Sequence, residues 1–132
     1  MCEFNFKSQV GTTQEQSERL FALGLKKETA DMHYWKGVSG TWYLDAKPFD
    51  DAEKDSIPAW SLHRLIDMMP KCIAIDGDSA YPLQITKRYD GQWVVGYQGW
   101  YDCVGGLYDN IIFMYQLLIS EGYIDEEFCN KG

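Results

Sequence analysis

Between Pro82 and Gly99, two runs of alternating apolar and polar residues flank the tripeptide Tyr89-Asp90-Gly91. This stretch restricts the fold more than any other, because alternation with period two marks a strand with one buried face. Two registers compete. A two-residue turn at Asp90-Gly91 sets Trp93 opposite Arg88 and Val95 opposite Thr86, apolar over polar. A three-residue loop, with Gly91 left-handed in a bulge, sets Ile85 opposite Val95 and Leu83 opposite Tyr97. A slip of one residue exchanges the faces of a strand, so the apolar match selects the three-residue loop. One expected face is then Leu83, Ile85, Trp93, Val95 and Tyr97, and the other is Gln84, Thr86, Arg88, Gln92, Val94 and Gln98.

A greasy sheet face needs a cover, and the segment after Gly105-Gly106 supplies one. Residues 107–121 read as a helix stopped by Gly122. Most of its circumference is apolar, which predicts burial on more than one side. Phe113 and Leu117 lie in its otherwise polar sector of Asp109, Gln116 and Ser120. Internal cover by the N-terminal half is the expected arrangement, and contact with a partner chain is the alternative.

The stretch "SIPAWSLHRLIDMMP" predicts a second, short helix over 62–69. Pro58 forces Ile57 to be extended. Ser61 is the expected N-cap, with Trp60 and Leu65 at the two positions of a hydrophobic staple. Leu62, Leu65, Ile66 and Met69 form one stripe, and Pro70 ends the helix. His63, Arg64 and Asp67 fall off that stripe and read as a solvated face rather than a site.

Upstream, Thr12 or Thr13 opens a first helix, Thr12 with Glu15 offers a capping box, and Gly24 is the stop. Strands follow near 32–36 and 41–45, joined by "GVSG", whose glycines permit positive φ. Residues 45–56, acidic and holding Pro48, read as a loop. "CIAI" at 72–75 reads as a short buried strand with Cys72 as a small hydrophobe, and "DGDSAYP" reads as a turn. The resulting order is α-β-β-α-β-β-β-α, an α+β domain with an antiparallel sheet packed by helices. One domain over 1–132 is expected: helix, aromatic hairpin and acidic loop in 12–56, an α-β-β-β-α core in 57–124, and a tail in 125–132. That core has the topology of double-stranded-RNA-binding domains, an analogy of fold alone.

Composition narrows the function classes. The chain has 132 residues, 45% hydrophobic, too apolar for a disordered protein. No apolar run approaches the roughly 20 residues that span a bilayer, so no membrane association is expected. The beginning, "MCEFNFKSQV", has no basic segment followed by an apolar one, which predicts a cytoplasmic protein with reduced thiols. Net charge is −8, divided as −3 over 1–70 and −5 over 71–132. Such a chain repels phosphate, so no nucleic-acid partner is expected.

Two blocks, "QEQSERLFALGLKKETADM" (14–32) and "IPAWSLHRLIDMMP" (57–70), resemble those of small uncharacterised proteins common in gut anaerobes related to Bacteroides and in their phages and mobile elements. Gln16-Ser17, Leu20, Leu23-Gly24-Leu25, Thr29-Ala30-Asp31-Met32, Pro58-Ala59, Ser61-Leu62 and Gly122-Tyr123-Ile124 carry the resemblance. It implies a bacterial, phage-associated setting and no particular activity. Thr29 to Met32 sit at a helix-to-strand joint, where a cap and turn fixing the first hairpin is the plain structural reading.

The chemistry-bearing residues are few. Cys2, Cys72, Cys103 and Cys129 form no C-x-x-C pair and match no zinc module. Asp50, Asp51, Glu53 and Asp55 read as solvated rather than metal-binding, and neither "GVSG" nor "VGG" has the lysine or length of a phosphate loop. No cofactor, metal or catalytic residue is assigned. A thiol hydrolase using Cys103, in "DCVGG", with His33 or His63 is the enzyme alternative. An acidic decoy that mimics nucleic acid is a third reading, and −8 is modest for it. The preferred reading rests on aromatics: five tryptophans and nine tyrosines exceed what a small core needs. Trp35, Trp42, Trp100 and Tyr101 are therefore the candidate anchors for a protein partner, against the plain reading that they fill the core and its rim.

Overall fold

The computed structural model describes residues 8–46, 56–74, 80–97 and 100–130, with the backbone alone at 100–104. In chain order the elements are α1 (Gln14–Ala22), a 3₁₀ turn (Lys27–Thr29), β1 (Met32–Lys36), β2 (Trp42–Ala46), β3 (Ile57–Ala59), α2 (Leu62–Met68), β4 (Cys72–Ala74), β5 (Ala80–Lys87), β6 (Trp93–Tyr97), β7 (Trp100–Gly105) and α3 (Leu107–Ser120). The strands form two antiparallel sheets, ordered β2-β1-β3 and β4-β5-β6-β7. The expected α+β class holds. Two sheets replace the single expected one, and β3 and β7 are additional to the expected order.

Both additions have physical reasons. β3 is three residues long with Pro58 in the middle, and it exists only because Ala59 and Ile57 pair with Met32 and Tyr34 of β1. It lies at a sheet edge, where a proline costs no ladder bond. β7 pairs Val104 with Val94 and Cys103 with Val95, and its register shifts between Val95 and Tyr97. With β7 present the C-terminal part is α-β-β-β-β-α, so the double-stranded-RNA-binding analogy falls away. The acidic residues 50–55 and most of the turn before β5 lie outside the described residues. β5 itself begins at Ala80 and includes Pro82. Pro82 pairs with Cys72 on one side, while the ladder to β6 begins only at Leu83.

The β5–β6 register is the one the apolar match selects: Leu83 faces Tyr97, Ile85 faces Val95 and Lys87 faces Trp93. The Arg88 amide donates to the Gln92 carbonyl at 2.7 Å, the Gly91 amide to Arg88 at 3.0 Å, and Gly91 has φ +90°. The β1–β2 hairpin closes the same way. Gly37 N–H donates to Thr41 at 2.8 Å, Gly40 N–H to Gly37 at 3.0 Å, and Gly40 has φ +88°. Each is a three-residue loop with a left-handed glycine, the geometry that matches strand twist.

α3 packs on β6 and β7, with α1 and α2 also against it. Ile111, Ile112, Met114, Tyr115 and Leu118 are fully buried, together with Val95 and Tyr97 of the sheet. Leu20 of α1 and Trp60 and Leu65 of the central stretch join the same cluster. Tyr115 donates its hydroxyl to the Leu65 carbonyl at 2.6 Å, and Tyr97 donates to Pro70 at 2.6 Å. Phenols so placed keep their polar atom satisfied inside an apolar core.

Several expectations are corrected. The capping box of α1 uses Thr13 and Gln16, not Thr12 and Glu15. The apolar end of α1, Leu20 to Leu23, reads from the sequence as tucked inward; Leu20 is buried but Phe21 is exposed. Cys72 is exposed rather than buried, because β4 turns only Ile73 inward. Phe113 is 45% exposed, so internal cover fails there, whereas half-buried Leu117 packs against the core. Arg64 does not merely face solvent: its Nε donates to Thr29 O at 2.8 Å and its guanidinium lies 5.8 Å from the Phe128 ring centre. Residues 125–130 are no loose tail. Cys129 pairs with Leu25 in an isolated bridge, Lys26 N–H donates to Phe128 O at 2.9 Å, and Asn130 N–H to Gly24 O at 2.7 Å.

Candidate functional site

Two polar groupings stand out, and only one is available for chemistry with another molecule. The first joins the sequence blocks around Thr29–Met32 and Pro58–Leu62. Trp60 Nε1 donates to Thr29 Oγ1 at 2.9 Å, and that hydroxyl donates to Lys26 O at 2.6 Å. Trp60 N–H donates to Thr12 Oγ1 at 3.1 Å, which shares a 2.8 Å hydrogen bond with Ser17 Oγ. Asp31 accepts from Ser61 N–H at 2.9 Å and from its hydroxyl at 2.5 Å. The Ser61 oxygen in turn accepts from Arg64 N–H at 3.2 Å, which is the N-cap of α2. The Ser61 hydroxyl is engaged on both sides, its proton by the Asp31 carboxylate and its oxygen by the first-turn amide of α2, which is the arrangement of a helix N-cap. This network is scaffold: it caps α2 and ties it to the start of β1.

The second grouping is the β1–β2 hairpin. Register sets Trp35 opposite Tyr43 and His33 opposite Asp45 on one face, and Lys36 opposite Trp42 and Tyr34 opposite Leu44 on the other. Opposed residues share a face, so the candidates Trp35 and Trp42 point to opposite sides. On the first face Trp35 stacks on Tyr43, ring centres 4.9 Å apart at 29°, and its Nε1 donates to Asp45 Oδ2 at 3.2 Å. The stacked pair, Asp45, Leu44, and Gly37 and Val38 of the loop border a groove of about 800 Å³. Val38 projects fully into solvent, and Tyr43 is 41% exposed. On the second face Trp42, 37% exposed, carries the Lys36 ammonium 6.0 Å from its ring centre. That face turns inward at Tyr34, whose hydroxyl donates to Thr12 O at 2.7 Å.

Tyr43, Val38 and Asp45 complete this surface and were not among the candidates read from the sequence. The signal was present: closing "GVSG" as a three-residue loop already sets Trp35 across from Tyr43. Trp100 and Tyr101 lie in the backbone of β7, remote in topology from the hairpin, and their side chains fall outside the described residues. The side chain of Cys103 likewise falls outside the described residues; its backbone pairs with Val95 in the ladder. His33 is buried in β1 and His63 is exposed on α2. Among the described residues no group of His, Cys, Asp or Glu side chains could hold a metal ion, and no helix is long and apolar enough to cross a membrane.

A second hollow, about 430 Å³, lies between the end of α2 and the C-terminal segment, bordered by Asp67, Met69, Tyr123, Asp125, Glu126 and Phe128. Its carboxylates are exposed; Asp67 lies 3.6 Å from the Arg64 guanidinium, and Asp125 accepts from Glu127 N–H at 3.1 Å. The architecture is thus an α+β scaffold with an aromatic hairpin at its margin. No family matches the chain, and no curated protein or solved structure matches it significantly.

Proposed function

We propose that the chain is a small non-enzymatic binding protein that holds a protein partner on the aromatic face of the β1–β2 hairpin. One observation carries this reading. Trp35 and Tyr43 form a pre-stacked pair beside an open groove, with the apolar tip residue Val38 fully in solvent. Rigid Trp and Tyr side chains concentrate interface energy because they cover large area at small entropic cost. A pair already stacked in the unbound protein loses little further freedom on binding. The acidic charge of −8 weighs against nucleic acid as the partner. The resemblance of the two sequence blocks to proteins of gut anaerobes and their phages supports an accessory role in a bacterial cytoplasm.

Affinity capture from lysate of a Bacteroides-related anaerobe, with the full chain as bait, tests the reading. A partner retained by the wild-type chain and lost with W35A and Y43A supports it. Retention unchanged by both substitutions overturns it. A thiol hydrolase built on Cys103 makes a different forecast, a Cys103 that reacts with iodoacetamide far faster than Cys72.

A further inference from the structure

The same hairpin carries a second feature that names the kind of partner. Among the described residues β2 is the outer strand of its sheet and pairs only with β1. Gly37 and Thr41 are joined by a backbone hydrogen bond at the loop. Antiparallel ladders alternate bonded and non-bonded pairs, so the bonded pairs continue as Trp35 with Tyr43 and His33 with Asp45. The N–H and C=O groups of Trp42, Leu44 and Ala46 therefore point away from β1, along the open edge. None of these three has a further hydrogen-bond partner among the described residues.

An unpaired edge is a template for another strand, and proteins that do not use such edges usually blunt them with lysine, proline or a bulge. Within β2, Trp-Tyr-Leu-Asp-Ala, there is no lysine, proline or bulge and one charge, Asp45; Lys47-Pro48 follow it directly in the sequence, and its register with β1 is regular throughout. Backbone pairing supplies affinity in strand addition, and pockets for alternate side chains supply specificity.

We propose that β2 takes an extended segment of a foreign protein as an added strand, and that the segment carries an apolar residue and a basic residue two positions apart. This rests on the proposed protein-binding role of the hairpin and specifies its partner. The spacing follows from register. Guest residues opposite Tyr43 and Asp45 fall on the grooved face, two apart. The one opposite Tyr43 meets the stacked aromatic pair and the groove, which favour an apolar or aromatic side chain. The one opposite Asp45 meets an exposed carboxylate on a chain of charge −8, which favours Lys or Arg. A second copy of the chain is disfavoured as the guest, since two such copies repel.

Selection of a random dodecapeptide library displayed on phage, with the full chain immobilised, tests the proposal. The expected winners contain an apolar-x-basic pattern, and a synthetic winner perturbs the amide resonances of Trp42, Leu44 and Ala46. A46P removes an outward N–H and leaves the β1 ladder intact, so it weakens binding by about tenfold or more with the rest of the amide spectrum unchanged. D45K exchanges the preference to acidic peptides. Winners without the alternating pattern, winners indifferent to A46P, no enrichment at all, or dimerisation of the chain through β2 each overturn strand addition. The broader reading fails separately: if W35A and Y43A abolish capture of the lysate partner while A46P does not, the hairpin binds protein by another mode.

Discussion

The indole N–H of Trp60 donates to the hydroxyl of Thr29 at 2.9 Å, and both residues are buried. This single bond joins two stretches 31 residues apart in sequence. It also explains why an alanine-sized side chain could not serve at either position: the tryptophan fills the core while its one polar atom needs an internal acceptor.

Thr29→Val keeps the shape and removes that acceptor, leaving a buried N–H without a partner. The expected loss of stability is about 1–3 kcal/mol, read as a lower urea midpoint at unchanged slope. Trp60→Phe removes donor and part of the ring together and should cost at least as much. The double variant should lose less than the sum, because neither change then strands a polar group.

Alkaline pH should destabilise the fold before it titrates the buried phenols. Burial holds Tyr115 far above the ordinary tyrosine range, and burial with a contribution from the nearby Cys72 does the same for Tyr97. Both folded values exceed the unfolded value of about 10. Stability from these groups is complete below that pH and falls as pH rises above it, since the unfolded chain then releases protons that the folded chain retains. Denaturation midpoints measured from pH 8 to 11.5 should drop in the wild type and drop less steeply in a Tyr97→Phe, Tyr115→Phe variant. That variant should also be weaker at neutral pH, by about 1 kcal/mol per lost hydroxyl bond.

Gly24 and Gly91 both have positive φ, +108° and +90°, yet their alanine variants should differ. A Cβ on Gly91 meets nothing within 4 Å, so Gly91→Ala bears only the left-handed backbone cost of about 1–2 kcal/mol. A Cβ on Gly24 would collide with the Asn130 carbonyl, which also belongs to the C-terminal strap. Gly24→Ala should therefore cost more and speed amide exchange at Lys26 and Asn130. Equal effects of the two substitutions would refute the strap.

Along α3, Phe113 and Met114 are adjacent but differ in surroundings: Phe113 is half out in solvent and Met114 is fully buried. Phe113→Gln should change stability by less than about 1 kcal/mol, whereas Met114→Ala should cost about 2–5 kcal/mol. Thermal melts of the two variants check the contrast. A large loss at Phe113 would mean that it is covered after all.

Where residues interact with near neighbours in the chain, the sequence was legible. Ser61 caps α2, Pro70 stops it with Met69 extended before it, and Gly122 ends α3 at φ +78°. Thr12 and Thr13 offer the same hydroxyl one residue apart, so the sequence leaves the cap open between them, and the capping box expected at Thr12 and Glu15 falls one residue on. What separates them is Trp60, whose amide claims the Thr12 oxygen from 48 residues away. From the sequence Arg64 reads as solvated, because nothing within its own helix turn shows Thr29 or Phe128 beside it. At the candidate site the aromatic types were visible, but their division between two faces depended on the length of one loop.

The sequence by itself determined the β5–β6 register, the Ser61 start of α2 and the apolar character of α3, because steric limits on glycine and proline and the two-residue strand period act over a few residues; α2 ends at Met68, one residue before the expected Met69. Only the tertiary structure decided that Ile57–Ala59 and Trp100–Gly105 are strands, that Phe113 and Cys72 stay outside, and that β2 lies at an edge. Those outcomes depend on which distant backbone happens to lie alongside, and a hydrogen-bonding edge has no mark in its own residues until its neighbour is known.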